Sequence, residues 1–322
     1  MKALLLVGGY ATRLQPLSIT RPKCLFPLGG VSIIDQILYN LAKSGVDEAV
    51  LAVNNLADEI EEHLGTEKHG VKLHYNLEEE PLGTGGPIKL AENLLNDDDF
   101  FVLNGDVLSY IDYAEQMTRH KKRGTIGTLT LKDVEDPSRY GVVRFGPDNR
   151  IDEFVEKPSK EEAPSNWINA GCYALSPEIF NYIPSSRKVS IEREVFPVLA
   201  EKKQLYGYRY SGEWIDIGVP GDYLKADRML GPPVYGKNTV IGDSIVENTI
   251  IWENTRIGDN CSINGAIIGA NVTIGDNVEI GKGSVIADKV TIPDNITIGN
   301  NCKIYPNTVI DMNLEPQTVY GN

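Results

Sequence analysis

The chain has few cysteines and no long apolar run. Its four cysteines are scattered without the close spacing of a metal site: Cys24, Cys172, Cys261 and Cys302. This scatter suits a reducing cytosol. The N-terminal apolar run at residues 3–7 is far too short for a signal sequence or a membrane span, and no later stretch is long enough. We therefore expect a soluble, cytoplasmic protein.

Positive charge is scarce as well. The 322 residues include 31 Lys and Arg against 45 Asp and Glu, which gives a formal net charge of −14 at pH 7. This balance argues against general binding to nucleic acid or to an anionic membrane, so we expect neither partner. Local clusters of cations therefore deserve more weight than the total charge. The length is sufficient for a well-buried core and for two domains.

A cluster of cations follows the first predicted strand. The apolar run at residues 3–7 predicts a buried parallel strand that ends at Gly8 and Gly9, where the backbone can pass close to a ligand. Three cations come next: Arg13, Arg21 and Lys23. Free backbone N–H groups beside these cations predict a polyanion site, most simply for a triphosphate. The spacing matches neither the kinase-type phosphate loop nor the dinucleotide motif, so a tight turn with solvated cations remains an alternative.

Strands and helices alternate in the first half of the chain. Strands are predicted near residues 49–53, 71–75 and 100–103, and helices near 32–44, 57–64 and 88–95. This alternation predicts an α/β fold with a doubly wound, mostly parallel sheet whose ligands lie at the carboxyl ends of the strands.

A second glycine-rich stretch, residues 82–87, precedes the helix predicted at 88–95. Its glycines suggest a backbone pressed against a flat or charged ligand. The acidic residues just before it, Glu78 to Glu80, would suit the amino and amide donors of a base such as guanine. A flexible connection is the alternative interpretation.

Two aspartates follow predicted strand ends that are far apart in the chain. Asp106 comes after the strand at 100–103, and Asp216 lies in the stretch Trp214 to Gly218. A carboxylate at the carboxyl end of a parallel strand, facing a phosphate loop, is where Mg²⁺ is expected. Asp106 alone would more often be a turn residue, but the pair favours a divalent-metal site.

From residue 126 onward, the strands are predicted to be antiparallel and more exposed, near 126–131, 142–145 and 151–155. Successive segments there carry a glutamate, a lysine and an asparagine that suit a sugar phosphate, Lys for charge and Glu and Asn for hydroxyls: Glu156, Lys157 and Asn169. From spacing alone, a surface ion pair with turn residues is the better interpretation. Ser190 is predicted to cap a structural helix start.

The C-terminal part is a hexapeptide repeat. Isoleucine recurs every six residues from Ile274 to Ile310, with a mostly small or β-branched residue two positions before each. This period predicts a parallel β-helix over residues 232–322, after a first domain of residues 1–231. Many hexapeptide proteins are acyltransferases, but all four histidines precede the repeat, so the usual base is missing. We interpret the repeat as a rigid cap or an oligomerisation surface.

Several motifs occur in an order that resembles the sugar-1-phosphate nucleotidylyltransferase family. They are Gly8-Gly9-x-x-Thr12-Arg13, Arg21-Pro22-Lys23, Asn104-Gly105-Asp106, Glu156-Lys157-Pro158, Asn169-Ala170-Gly171 and Trp214-x-Asp216-x-Gly218. The stretches 79–84 and 190–197 look most like the branch that transfers guanylyl groups to mannose 1-phosphate, which also carries a C-terminal left-handed β-helix. Ala11 departs from the pattern, because the family usually has glycine there.

The resemblance implies a Rossmann-like catalytic domain, a left-handed β-helix, Mg²⁺ as cofactor and a homo-oligomer through the β-helix. It implies GTP and mannose 1-phosphate as substrates and GDP-mannose and pyrophosphate as products. Thymidylyl or uridylyl transfer to glucose 1-phosphate, or a non-catalytic nucleotide-sugar-binding regulatory subunit, are alternatives.

The resemblance also implies a role for particular residues. The catalytic residues would be Arg13, Lys23 and Asp106, and the metal ligands Asp106 and Asp216. The nucleotide would contact Leu6, Gly8, Gly9, Thr12, Arg13, Glu80, Pro81, Gly83 and Thr84. The sugar phosphate would contact Gly141, Glu156, Lys157 and Asn169.

Overall fold

The computed structural model describes residues 1–54, 56–185 and 187–321. It divides into two compact units, each made of two chain segments. The first unit is Met1–Gly9 with Ile34–Trp214, and the second is Tyr10–Ile33 with Ile215–Asn322. The glycine loop thus begins in the first unit, and the cations that follow it belong to the second. The domain boundary predicted after residue 231 stays a prediction.

The described helices are short. In chain order they are α1 (Ile33–Lys43), α2 (Ala57–Leu64), α3 (Gly86–Leu90), α4 (Glu92–Leu95), α5 (Tyr113–Arg123), α6 (Phe196–Glu201) and α7 (Pro220–Met229). Short 3₁₀ turns and one π-helical turn complete the helical segments: Thr12–Leu14, Leu17–Ile19, Lys23–Leu25, Pro177–Asn181 and, as π, Ile191–Val195. The helices predicted at 32–44 and 57–64 are confirmed, whereas the one predicted at 88–95 is divided into α3 and α4.

The strands of the first 216 residues are β1 (Lys2–Leu6), β2 (Pro27–Leu28), β3 (Val31–Ser32), β4 (Glu48–Val53), β5 (Glu67–Lys68), β6 (Val71–Leu77), β7 (Phe100–Asn104), β8 (Val107–Ser109), β9 (Gly127–Asp133), β10 (Gly141–Phe145), β11 (Ile151–Glu156), β12 (Trp167–Leu175), β13 (Leu205–Arg209) and β14 (Trp214–Asp216). Among the described residues, ten of these strands form one sheet in the first unit.

Strand β1 lies at the point where the order of this sheet reverses. It is parallel to β4 on one side and to β7 on the other, and β4 is parallel to β6. The chain therefore builds outward from β1 and then returns to its other side. Such a switch point creates a crevice at the carboxyl ends of the two strands. Leu6 and Asn104 are register partners there, so the loops after β1 and β7 leave the sheet together. The doubly wound prediction is confirmed.

The later strands extend the same sheet, and most of their residues are buried. β12 pairs antiparallel with β7, β9 and β10, as the sequence predicts, although β13 is parallel to β9. The prediction of greater exposure is wrong for β9, because Leu129 and Leu131 are fully buried, whereas β11 alternates buried and accessible residues as that prediction requires. Hydrophobic residues of α6 and of the Pro177–Asn181 turn belong to the same buried cluster as these strands, which explains the burial.

The second unit carries the predicted β-helix. Its strands are β15 (Val240–Ile241), β16 (Ile245–Glu247), β17 (Ile250–Ile251), β18 (Arg256–Ile257), β19 (Ser262–Asn264), β20 (Ile267–Ile268), β21 (Thr273–Ile274), β22 (Glu279–Ile280), β23 (Val285–Ile286), β24 (Thr291–Ile292), β25 (Thr297–Ile298), β26 (Lys303–Ile304) and β27 (Val319–Tyr320). In the described part of this unit they form three parallel sheets, consistent with a left-handed β-helix. The seven isoleucines from Ile274 to Ile310 are at most 3% exposed, so the predicted interior ladder is confirmed.

From residue 271 to residue 310, each corner of the β-helix has a residue with positive φ three positions before an interior isoleucine. Asparagine supplies it at Asn271, Asn277, Asn295, Asn301 and Asn307, with φ between 57° and 61°. Asparagine tolerates the left-handed region better than other residues that have a Cβ. The motif Asn-x-x-Ile therefore marks a corner of the β-helix followed by a buried isoleucine.

We predict that Asn307→Ala destabilises the β-helix by about 1 kcal/mol, because alanine pays the steric cost of the left-handed conformation. Asn307 is exposed, so little packing is lost. Asn307→Gly is the matched control and should restore most of the stability. Urea unfolding of the three proteins measures the difference. Equal stability of the alanine variant and the parent protein would contradict this account.

Candidate active site

In the loop after β1, Gly8 packs closely against neighbouring residues, whereas Gly9 has open space beside it. A Cβ on Gly8 would lie 3.2 Å from Asn54 Nδ2 and 3.3 Å from the carbonyl oxygen of Ala52. A Cβ on Gly9 would meet no atom within 4 Å. Gly8 therefore lets the loop pass the end of β4, and Gly9 presents open backbone, as a loop that binds phosphate requires.

The Asp106 loop is held directly against the end of β1. The amide nitrogen of Gly105 donates to the carbonyl oxygen of Leu6 at 3.0 Å. A Cβ on Gly105 would lie 2.4 Å from Val7 Cγ1, so only glycine fits. Leu6, Gly8 and the backbone that carries Asp106 are thus brought together at the switch point of the sheet.

The Asn104-Gly105-Asp106 segment also contacts the Asn169-Ala170-Gly171 segment. Gly171 has a φ of +75°, and a Cβ there would lie 2.7 Å from Asn104 Nδ2. The backbone between Asn169 and Tyr173 departs from regular pairing with β9. This irregularity re-aims Asn169, whose Oδ1 accepts from the Gly171 amide at 3.1 Å and whose Nδ2 donates to the Tyr173 hydroxyl at 3.0 Å.

Gly141, Glu156 and Lys157 come together on β10 and β11. Gly141 is the register partner of Glu156, and a Cβ on Gly141 would lie 2.9 Å from Glu156 Oε2. Lys157 has a positive φ of 50° and places Nζ 3.5 Å from Glu156 Oε1. A non-glycine residue in this conformation is strained, and such strain is common at functional sites.

The environment of Glu156 includes an acidic neighbour that the sequence analysis missed as a site residue. Burial raises the pKa of the Glu156 carboxyl, and the negative charge of Glu192 raises it further, whereas Lys157 lowers it. Glu192 lies in the π-helical turn that Ser190 caps, with the Ser190 hydroxyl accepting from the Arg193 amide at 3.3 Å. The predicted cap is confirmed. π-Helical turns occur frequently at functional sites, so this segment is more than a helix start.

Glu192 also joins the second glycine-rich loop. The Thr84 hydroxyl donates to Glu192 Oε2 at 2.5 Å and accepts from the Ile191 amide at 3.0 Å. Gly83 has a φ of +80°, and a Cβ there would lie 2.4 Å from the carbonyl oxygen of Val189. Gly83 and Thr84 thus dock this loop onto the π-helical turn, while Glu80 and Pro81 are exposed.

The second unit holds the cation-bearing segment. Thr12 and Arg13 form an exposed 3₁₀ turn that the buried Leu14 anchors. Ala11, before this turn, has φ 46° and ψ 43°, which is left-handed and explains why glycine is usual there. The carbonyl oxygen of Ala11 accepts from the Leu14 amide and the Ser18 hydroxyl, both at 2.9 Å. Lys23 begins the third 3₁₀ turn of this segment and is half-buried.

Arg13 and Asp216 meet around Gly218. A Cβ on Gly218 would lie 3.1 Å from Arg13 Nη2 and 3.3 Å from Asp216 Oδ2. Gly218 is itself buried. The structure therefore places one predicted catalytic cation and one predicted metal ligand in the same small space.

The predicted metal site can be compared with the ligand residues that the structure brings together. Among residues 1–54, 56–185 and 187–321, no group of three or more His, Cys, Asp or Glu is arranged to hold a metal ion. Mg²⁺ is commonly held by one or two carboxylates, with phosphate oxygens and water completing its shell. Asp106 and Asp216 each offer a carboxylate, the kind of ligand that such an ion takes. That they share one ion stays a prediction.

These features define a doubly wound, nucleotide-binding class of protein with a hexapeptide β-helix attached. The chain belongs to the nucleotidyl transferase family, which it matches over residues 2–231. Residues 221–319 match a second family, described as the GMPPB C-terminal domain. The family resemblance read from the sequence is confirmed. No helix in the described parts of the chain has the length and apolar character to cross a membrane.

Two curated relatives share the same name. A mannose-1-phosphate guanyltransferase of Candida albicans is 46% identical over 230 residues, which are 70% of this chain and 63% of that protein. One of Saccharomyces cerevisiae is 42% identical over 260 residues, 78% of this chain and 71% of that protein. The chain therefore spans somewhat less than two thirds of the Candida relative.

Solved structures share the fold of the catalytic part. HddC from Yersinia pseudotuberculosis, complexed with GMP-PN, aligns with a TM-score of 0.59 at 29% identity, covering 71% of this chain and 98% of that one. A UDP-glucose pyrophosphorylase from Acinetobacter baumanii aligns with a TM-score of 0.65 at 23% identity, covering 71% of this chain and 93% of that one. The second likeness concerns the fold alone.

We predict that Gly218→Ala lowers turnover with a nucleoside triphosphate and a sugar 1-phosphate by about 10- to 100-fold, because the new methyl displaces Arg13. The atoms it would meet are ends of side chains, so the thermal unfolding midpoint should change little. Gly221→Ala is the matched control, since a Cβ there would meet nothing within 4 Å. Equal turnover of the two variants would show that Arg13 is not positioned through Gly218.

Proposed function

We propose that the chain is a sugar-1-phosphate nucleotidylyltransferase that converts GTP and mannose 1-phosphate into GDP-mannose and pyrophosphate. The observation that carries the proposal is the grouping of Gly141, Glu156 and Lys157 in the first unit. The strand that carries Asn169, β12, pairs with β10 beside them, and Gly171 after Asn169 contacts Asn104 at the start of the Asp106 loop. The family match supports the reaction, and the name of the relatives, mannose-1-phosphate guanyltransferase, supports the choice of substrates.

The sugar site would bind both the phosphate and the hydroxyl groups of a sugar phosphate. Lys157 is 59% exposed at its side chain and supplies a positive charge for the phosphate, whereas the 13% exposed Glu156 accepts from sugar hydroxyls. Asn169, held by Gly171 and Tyr173, adds a fixed amide. Glu192 places a second carboxylate near Glu156. Two neighbouring carboxylates favour hydroxyl donors over anions, so this part of the site suits the sugar rather than the phosphate.

The chemical step requires no protein base. An anionic phosphate oxygen of the sugar phosphate attacks the α-phosphorus of the triphosphate in line, and the bond to the pyrophosphate oxygen breaks. Arg13 and Lys23 would neutralise the charge that develops on the pyrophosphate. The protein therefore contributes positioning and charge neutralisation, as in phosphoryl transfer generally.

Mg²⁺ would be held by Asp106 and Asp216 together with phosphate oxygens. When bound, it would neutralise charge on the α-phosphate. The base would lie against the loop of Glu80, Pro81, Gly83 and Thr84, which Glu78 closes by accepting from the Leu82 amide at 3.0 Å.

We further propose a homo-oligomer formed through the β-helix and a cytosolic setting. Exposed aliphatic residues on the β-helix, such as Ile245 at 66% and Val309 at 63%, support a surface that another copy covers. All four cysteines are buried thiols, which supports a reducing compartment.

A matrix of nucleoside triphosphates against sugar 1-phosphates, with Mg²⁺ and scored by pyrophosphate release, tests the proposal. We predict the highest kcat/KM for GTP with mannose 1-phosphate, because the acidic loop and the Glu156 site match those substrates. A preference for dTTP or UTP with glucose 1-phosphate would replace the substrates but keep the reaction. Binding of a nucleotide sugar without turnover of any pair would indicate the regulatory-subunit alternative instead.

A further inference from the structure

Arg21 lies in the cation-bearing segment, yet its guanidinium is engaged by the β-helix. Nη1 donates to Glu253 Oε2 at 3.2 Å, and Nη2 donates to Glu253 Oε1. The guanidinium carbon lies 4.4 Å from the centre of the Trp252 ring. The Arg21 side chain is 21% exposed. The bidentate ion pair and the stacking on Trp252 fix the orientation of Arg21. They also occupy the guanidinium N–H groups that a phosphate would need.

Trp252 is the centre of a buried aromatic cluster that reaches the rest of the segment. It is fully buried, and its ring centre lies 4.9 Å from that of Phe26. Its Nε1 donates to the Tyr223 hydroxyl at 3.1 Å, and that hydroxyl donates in turn to the carbonyl oxygen of Pro27. The amide of Phe26 donates to the carbonyl oxygen of Lys23 at 3.0 Å, so the cluster directly braces the turn that carries Lys23.

A further coil of the β-helix holds the start of the same stretch. The Thr20 hydroxyl donates to Asp288 Oδ2 at 2.9 Å, and Asp288 Oδ1 accepts from the Ala270 amide at 2.8 Å. The backbone of the β-helix links the two anchor points, since the Asn271 amide donates to the Glu253 carbonyl oxygen at 3.0 Å. Thr20, Arg21 and Phe26 are therefore fixed to one corner of the β-helix, with Lys23 between them.

The Glu253 carboxylate is suited to this task. Burial alone would raise its pKa, but the hydrogen bond and the charge of Arg21 outweigh burial and lower the pKa below its usual value. The carboxylate thus stays ionised at neutral pH and retains its partner. Packing that served only to bury the β-helix would need no such charge pair, because desolvating two charges gives little net stability.

We infer that Glu253 and Trp252 of the β-helix are positioning residues for the nucleoside triphosphate, acting through Arg21 to hold the Lys23 turn in place. The inference rests on the proposed function for the role of Lys23. The anchor itself can be tested without any turnover.

The first test is a double-mutant cycle on kcat/KM for GTP. Glu253→Gln and Arg21→Lys should each raise the KM for GTP by about 10-fold and leave the KM for mannose 1-phosphate unchanged, and the double variant should be no worse than either. The reversed pair, Arg21→Glu with Glu253→Arg, should recover part of the loss. Glu279→Gln is the matched control, because Glu279 is a β-helix glutamate that is exposed.

The opposite pattern would overturn the inference. If Arg21 contacted the triphosphate itself, Arg21→Lys would impair GTP use while Glu253→Gln left it intact or improved it. Equal rises in the KM of both substrates, together with a lowered unfolding midpoint, would indicate a merely structural pair. If Glu253→Gln folded poorly, Thr20→Val offers a milder break at the other anchor, with the same selective rise in the KM for GTP expected.

Limited trypsin digestion separates failure of the inference from failure of the proposed function. Trypsin cuts after Arg13 and Lys23, and the anchor should protect the bond after Lys23. We expect faster cleavage there in Glu253→Gln than in Glu279→Gln at equal thermal stability. Unchanged cleavage would overturn the anchor even in an active enzyme, whereas faster cleavage in a protein without turnover would keep the anchor and reject the proposed reaction.

Discussion

The contact of Gly105 with Val7 is the constraint on which the first unit's site depends. A Cβ on Gly105 would lie 2.4 Å from Val7 Cγ1, so the loops after β1 and β7 pack closely at this glycine. This approach places Asp106 beside the glycine loop, and Asn104 in turn requires Gly171 to be a glycine. The Asn169-Ala170-Gly171 segment is thereby tied to the Asp106 loop through glycines rather than through long side chains. Rigid backbone placement of this kind suits a reaction that depends on alignment.

Three of the cations described above have a carboxylate close by. Lys157 lies near Glu156, Arg13 and Asp216 both flank Gly218, and Arg21 is paired with Glu253. In a chain of net charge −14, these pairs orient the cations before an anion arrives. A triphosphate would then meet an arranged set of charges, which reduces the reorganisation that binding requires. Arg21 differs from the other two, since its whole guanidinium is committed to the β-helix.

The parts of the fold with strong local periodicity could be predicted from the sequence. The six-residue isoleucine period predicts the β-helix, and the alternation of strands and helices predicts the doubly wound sheet. The place of β12 beside β7 could not be predicted, because strand order in a sheet depends on long-range pairing. The role of Glu192 was missed for the same reason, since its partner Thr84 is remote in sequence. Arg21 was read as a phosphate cation because its neighbours are cations, whereas its partner Glu253 belongs to another coil of the fold.

The central claim is that Asp106 and Asp216 hold one metal ion with the triphosphate. Electron paramagnetic resonance of Mn²⁺, used in place of Mg²⁺ with GTP, measures this directly in the parent protein, Asp106→Asn, Asp216→Asn and the exposed control Asp133→Asn. The account predicts one bound Mn²⁺ whose affinity falls by at least about 10-fold in each of the first two variants and not in the control. Unchanged Mn²⁺ affinity in either Asp106→Asn or Asp216→Asn would contradict it.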